Sequence, residues 1–266
     1  MKCKPTVNEV FEYINSIAPF EKQCEWDNSG LIIGDKSSKI AKIGVVLDIT
    51  AEAVNYAAEK SIELIVSHHP VIFRGIKTVF SSDPTYLLIK NGISAICTHT
   101  SLDIAKGGVN DALAEALGFK NAYPLSENGE TEMVRVAEIS AISGAELAKL
   151  CSEKLSTCAA MADSGKIIKK VALCGGAGTD FIHDAANSGC DAYITGEAKH
   201  HEFLDAKAMG ITLISAGHFE TENPVVAVLA KKLKDNFDCD VEIIPQESPA
   251  EYFVNEELLC PLTELH

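Results

Sequence analysis

The chain is short of basic residues, has a single tryptophan, contains no long apolar run and pairs none of its cysteines at C-x-x-C spacing. Each shortage removes a class of function. With 23 Lys and Arg against 38 Asp and Glu, the formal charge is −15, a field that repels nucleic-acid phosphates. The largest basic cluster, Lys231-Lys232-Leu233-Lys234, reads as the solvated face of a helix, so a nucleic-acid partner is disfavoured. No segment approaches the roughly 20 apolar residues of a membrane span. The first twenty residues are broken by Lys2, Lys4, Glu9 and Glu12, leaving no apolar core of signal-peptide length. The expectation is a cytoplasmic protein with no membrane partner. Cysteines at 3, 24, 97, 151, 158, 174, 190, 239 and 260 fit neither a zinc ribbon nor a disulfide framework, and read as reduced, mostly buried thiols.

What is present is an α/β pattern with chemistry at its strand ends. At 266 residues and 47% hydrophobic content the chain can bury a sizeable core in two modest domains. The apolar run at residues 62–67 reads as a buried strand and ends in His68-His69-Pro70. A second run, residues 93–97, leads into His99-Thr100-Ser101-Leu102-Asp103, and a third, residues 211–215, into Gly217-His218 and Glu222. Ligands of α/β folds gather outside the carboxyl ends of the strands.

These runs repeat. Residues 43–48, a helical stretch over 51–60 and residues 62–69 are echoed by residues 171–176, a helical stretch over 181–188 and residues 190–197, each a strand, helix, strand unit. Residues 91–97 are answered by residues 209–215. The expected architecture is therefore two similar α/β domains, an internal duplication, with the site in the cleft between them. The boundaries are residues 1–127, joined by a C-terminal segment 223–266, and residues 128–222. Residues 121–131, with Pro124, Asn128 and Gly129, read as the connection. A helix fits residues 224–236 with Pro in its first turn, followed by a strand through residues 241–244.

Three imidazoles and two carboxylates, His68, His69, His218, Asp103 and Glu222, make a candidate metal set. Adjacent residues on a regular strand face opposite ways, so His68 and His69 share a site only if the strand ends there, which Pro70 favours. His218 and Glu222, four apart, converge if that turn is helical. Any one of these residues alone reads as structure, and Asp103 could simply organise the turn at Lys106-Gly107-Gly108. All five at strand ends read as a metal centre.

Together with Glu25-Trp26-Asp27-Asn28-Ser29-Gly30-Leu31, Val46-Leu47-Asp48, Gly107-Gly108-Val109-Asn110-Asp111 and Thr195-Gly196-Glu197, these motifs resemble the dinuclear metal centre proteins known as GTP cyclohydrolase 1 type 2 homologs, the family of the NGG-interacting-factor-like proteins. The resemblance implies that His68, His69, Asp103, His218 and Glu222 hold two divalent ions, one carboxylate bridging, in ring-shaped homo-oligomers, commonly hexamers. Zinc, iron or manganese suits such mixed ligands better than magnesium. It also implies a metal-dependent hydrolase acting on a nucleotide or related substrate, of GTP cyclohydrolase type. The alternative is a metal-stabilised oligomeric scaffold or regulatory protein without turnover. Residue 197 is Glu where the family often has Asp.

Three features remain. Cys174-Gly175-Gly176-Ala177-Gly178-Thr179 could cradle a phosphate or be a tight structural turn, since it lacks the Lys-Ser/Thr of a P-loop. Trp26 could lie at the site mouth, although Asp27-Asn28-Ser29-Gly30 is also ordinary turn chemistry. His99 is the candidate catalytic proton-transfer group, with His200 and His201 as spare imidazoles.

Overall fold

The computed structural model describes residues 4–127 and 129–252. Asn128 of the expected connection and residues 253–266 of the expected C-terminal segment lie outside the described residues. In chain order, α1 (Val7–Ile17), β1 (Gly30–Ile33), β2 (Lys42–Val46), α2 (Ala51–Glu59), β3 (Leu64–Ser67), α3 (Pro84–Asn91), β4 (Ser94–Cys97), α4 (His99–Ile104) and α5 (Val109–Ala116) come first. A short strand β5 (Tyr123–Pro124) and β6 (Arg135–Ile142) then precede α6 (Gly144–Leu155), β7 (Ala160–Ala162), β8 (Ile168–Cys174), α7 (Ile182–Asn187), β9 (Ala192–Thr195), α8 (His200–Met209), β10 (Thr212–Ser215) and α9 (His218–Glu222). The described chain closes with α10 (Pro224–Asn236) and β11 (Asp240–Ile243). None of the described helices is long and apolar enough to cross a membrane.

The protein is a mixed α/β structure with two multi-stranded sheets. One has the order β1-β4-β3-β2-β11 and the other β5-β6-β8-β9-β10-β7. Their cores share one wiring. β2, β3 and β4 are parallel neighbours, with β1 antiparallel on β4. β8, β9 and β10 are parallel neighbours, with β7 antiparallel on β10. A helix precedes each antiparallel edge strand, α1 before β1 and α6 before β7. The sheets part company at the other edge, where β11 runs parallel to β2 and β6 antiparallel to β8.

Both faces of the central strands are covered, as parallel sheets require. In the first sheet Ile43, Val45, Leu64, Val66 and Ile96 pack with Val7, Val10 and Ile14 of α1 and with α10. The alternate residues Val46, Ile65 and Ala95 pack with Ala53, Val54, Ala57 and Leu88 of α2 and α3. Helix ends are marked in the sequence. Thr6 with Glu9 and Ser143 with Glu146 form capping boxes at α1 and α6, and Gly92 and Gly210 close α3 and α8 in left-handed conformation.

Helix α5 couples the cores of the two sheets because it contributes apolar residues to both. Val109 and Ala112 join the core of the first sheet, while Leu113 and Ala114 join that of the second. Arg135, 3% exposed, adds a polar tie. From β6 its Nε donates to Asp111 Oδ1 at 2.5 Å, and its terminal nitrogens donate to the carbonyls of Glu132, Ile104 and Ala105 at 2.6, 3.1 and 3.1 Å. Removing one partner of a buried ion pair typically costs about 3–5 kcal/mol, and Asp111 is partly wet, which favours the lower end. Arg135→Ala is therefore expected to lose about 3 kcal/mol in chemical denaturation; a loss under about 1 kcal/mol would mean that the tie is dispensable.

Candidate metal centre

Every candidate ligand lies just past a strand end. The backbone N–H groups of His68 and His69 donate to the carbonyls of Val46 and Leu47 at 3.2 and 3.0 Å, so the pairing of β3 with β2 continues beyond Ser67. The Ser67 hydroxyl donates to the His69 carbonyl at 2.8 Å, a local turn that breaks strict alternation. The two imidazoles consequently share one site, with ring centroids 4.8 Å apart. From β4 the chain enters α4 at once, placing His99 at its start and Asp103 one turn later. From β10 it passes Gly217, held at φ +88°, and enters α9 with His218 and Glu222 one turn apart. That turn is helical despite Pro224, which begins the next helix.

Glu222 is the hub, its two oxygens serving two groups. Oε2 lies 3.0 Å from His69 Nε2 and 3.2 Å from His218 Nε2. Oε1 lies 3.7 Å from His68 Nε2, which is in turn 3.8 Å from Asp103 Oδ1. His69-His218-Glu222 and His68-Asp103-Glu222 are each near enough to hold a metal ion, and so is His68-His69-His99. His200 and His201 are exposed on α8 and belong to none of these groups.

The residues fit a cation. His68 is 1% exposed, yet neither of its ring nitrogens has a hydrogen-bond partner. Leaving a buried polar atom unmade typically costs about 1–3 kcal/mol, and donors meant for a metal are a recognised reason for such orphans. The far nitrogens are fixed. Asp48 Oδ1 is 2.8 Å from His69 Nδ1 and Glu197 Oε1 is 3.0 Å from His218 Nδ1, the carboxylate–imidazole arrangement that aims Nε2 at a metal.

Burial pushes the His68 pKa down to about 4, keeping that imidazole neutral. Burial would lower His69 as well, but its hydrogen bonds to Asp48 and Glu222 outweigh that and raise it to about 10. For His218 the same opposition, with Glu222 the main partner, ends at about 9. Burial opposes ionisation of Glu222, and the surrounding imidazoles hold it well below the carboxylate range. Asp103 is pushed well above that range by burial and by the charge of Glu222.

At pH 7 His69 and His218 therefore hold protons that a metal must displace. Zinc titrated into metal-free protein is expected to release at least about two protons per chain, with apparent affinity falling by about 100-fold or more per pH unit on acidification below neutrality. Calorimetry in buffers of different ionisation enthalpy reads the proton count, and pH-independent binding between 6 and 8 would contradict the assignment.

The glycine-rich loop after β8 is a packing device. The amides of all three of its glycines are already used: Gly175 donates to Asn110 Oδ1 at 2.8 Å, Gly176 to Thr221 Oγ1 at 3.0 Å and Gly178 to Thr195 Oγ1 at 3.1 Å. The tight-turn reading is favoured over a phosphate cradle. At Gly176, φ +61°, a Cβ would stand 2.1 Å from Glu222 Oε1, so glycine is what lets the loop press against the hub.

His99 sits beside the cluster, its ring centroid 5.3 Å from that of His68 and 5.5 Å from that of His69. Its Nδ1 lies 2.8 Å from Asp27 Oδ1, leaving Nε2 for the site. Asp27 also accepts from the Thr100 N–H at 3.0 Å, the Thr100 hydroxyl at 2.5 Å and the Ser29 hydroxyl at 2.8 Å. Burial opposes its ionisation, but these donors hold it below the usual carboxylate range. Trp26 lies at the site mouth, 5.8 Å from His99 between ring centroids.

The partners Asp27, Asp48 and Glu197 are the functional residues that sequence reasoning left without a role. Each stands in a motif quoted above, and the available signal was its place beside a strand end.

A family model described as Duf34/NIF3 (NGG1p interacting factor 3) matches residues 5–249. A GTP cyclohydrolase 1 type 2 homolog of Clostridium perfringens is 35% identical over 257 residues, covering 93% of this chain and 98% of the relative. A protein of Helicobacter pylori named GTP cyclohydrolase 1 type 2 is 33% identical over 259 residues, covering 90% and 99%. Among solved structures, the Staphylococcus aureus hypothetical protein SA1388 superposes with a TM-score of 0.86 at 26% identity, covering 94% of this chain and all of that one. Reduced HcgD from Methanocaldococcus jannaschii gives a TM-score of 0.78 at 27% identity, covering 91% and 98%.

Proposed function

Because the chain belongs to the Duf34/NIF3 family, we propose that it is a metal-dependent hydrolase with a dinuclear centre, acting on a nucleotide or related substrate. The observation that carries the reading is the shared Glu222, whose two oxygens face two different sets of imidazole and carboxylate donors. Such a carboxylate can bridge one ion held with His69 and His218 and another held with His68 and Asp103. The donor set suits zinc, iron or manganese. Two such ions would polarise the bond under attack and bring the pKa of a bound water toward neutrality.

The chain's own residues supply the rest. Asp48 and Glu197 fix the imidazole tautomers. His99, held by Asp27 through Nδ1, has Nε2 free to take a proton from the attacking water and return it to the leaving group. The nucleotide preference follows the names of relatives such as the Clostridium perfringens and Helicobacter pylori proteins.

The repeated wiring of the two sheets supports an internal duplication, with residues 1–127 completed by 223–266 as one half, residues 128–222 as the other, and the centre in the cleft between them. A ring-shaped homo-oligomer, a hexamer by resemblance, is part of the same proposal; the exposed Ile76, Val79 and Phe80 are available to cover one another in it. The deciding experiment is a turnover screen of metal-loaded protein on nucleotides, phosphoesters and cyclic amides. Hydrolysis of one class, abolished by a chelator and restored by metal, is expected. Full metal content with no turnover on any of them would favour the metal-stabilised scaffold.

A further inference from the structure

We propose that Trp26 and Phe73 form a stacking subsite for a planar, uncharged heteroaromatic ring, held with its polar edge toward His99 and the ligand cluster. The inference rests on the proposed function, since the ring would be the part of the substrate presented to that centre. It also narrows the reading, because it places the ring, and not a polyphosphate, inside the cavity.

The ligand cluster is the floor of a cavity of about 460 Å³, within the range of about 300–1,000 Å³ that small-molecule sites occupy. Trp26 is 57% exposed and Phe73 41% exposed, and the two rings are neighbours, the contiguous kind of apolar surface that marks ligand-binding grooves. Their centroids lie 5.8 Å apart, and both rings meet His99 edge-on at 5.8 and 5.9 Å. That contact fixes the two rings at the cavity rim, so the aromatic surface they expose is preorganised. A ring laid against them lies beside the one imidazole that the candidate ligand groups do not share with Glu222.

Charge decides which ring. Among the described residues lining this cavity there is no Lys or Arg, and the lining residues outside the candidate ligand set include the acids Glu130 and Asp180. The adjoining cavity of about 590 Å³, which shares Ala177, Asp180 and His218 with it, contains Lys199 but surrounds it with Glu197, Glu202 and Glu220. Polyphosphate recognition draws on Arg and Lys donors, and neither cavity supplies a cluster of them. A flat, neutral ring loses nothing in such a field and gains stacking, which at a single aromatic typically changes affinity by about 5- to 150-fold.

Trp26 is the chain's single tryptophan, so its emission reports on this subsite directly. Protein as purified is titrated with guanosine, guanosine 5′-triphosphate and ribose 5-phosphate, with equilibrium dialysis as a second readout. Saturable quenching by guanosine and none by ribose 5-phosphate are expected, with the triphosphate binding within about threefold of the nucleoside. In dialysis, Trp26→Leu and Phe73→Leu should each weaken guanosine binding by about tenfold while metal content stays at the wild-type level.

Triphosphate binding tenfold or more tighter than guanosine would overturn the inference, as would unchanged affinity in both variants. So would Trp26 emission that is blue-shifted and closed to acrylamide before ligand is added, since the ring would then be covered by another copy of the chain. Saturable quenching without turnover on any substrate leaves the subsite standing and removes the hydrolase reading. Turnover with no change at Trp26 does the reverse.

Discussion

Replacing Glu222 with Gln is expected to empty the whole centre, whereas replacing a ligand on one side empties half. The carboxylate is 6% exposed and approaches His69 and His218 through one oxygen and His68 through the other. Gln keeps the shape but removes the anion that both ions would share. The same change loosens the competing His69 and His218 protons that the Glu222 charge holds in place, a gain that does not replace the lost anionic ligand. Metal content should fall from about two ions per chain to well under one. Asp103→Ala or His69→Ala should each cost about one ion, with far-ultraviolet circular dichroism unchanged in all three because the ligands lie past strand ends. Wild-type metal content in Glu222→Gln would remove the bridging assignment.

The second large effect concerns His99. If it moves a proton, His99→Gln should keep the metal and lower turnover by about 10² to 10⁴. Asp27→Asn should lower it by about 10² or more with the imidazole still present, since the amide presents its NH₂ where the carboxylate accepted and so reverses the tautomer. The paired outcome separates three roles. Loss of activity with metal retained in both variants supports proton transfer; loss of metal in His99→Gln would make His99 a ligand, consistent with its nearness to His68 and His69; wild-type rates in both would make the pair structural.

Much of this was legible in the sequence because the signals were local. Buried parallel strands read as uninterrupted apolar runs, and residues 62–67 and 211–215 end where β3 and β10 end. Helix α10 begins at Pro224 and ends at Asn236, the span that proline placement and periodicity give. The connection before β6 holds more than a loop, for β5 pairs there with β6, but two exposed residues carry no period to detect. Ala160-Met161-Ala162 is equally silent, and forms β7 only because β10 offers it an edge.

The site divided the same way. His68, His69, Asp103, His218 and Glu222 stand out in the sequence as candidate ligands by residue type at strand ends, and the fold brings them within reach of one another. Their supporting carboxylates did not, because Asp27 reaches His99 from 72 positions away and an Asp before Asn-Ser-Gly looks like turn chemistry until the fold is known. Glu197 and Asp48 meet their imidazoles only because parallel register sets neighbouring strand ends side by side. The double role of α5 was hidden for another reason: the pattern of residues 109–116 marks an apolar face, and periodicity alone does not say that two cores meet on it.

The central claim is that the cluster around Glu222 is a two-ion centre, and metal analysis tests it most directly. Protein purified without added metal, then incubated with zinc, iron or manganese and freed of excess, is measured by mass spectrometry against its chain concentration. The account predicts about two transition-metal ions per folded chain. Folded protein that retains none after all three incubations would contradict it.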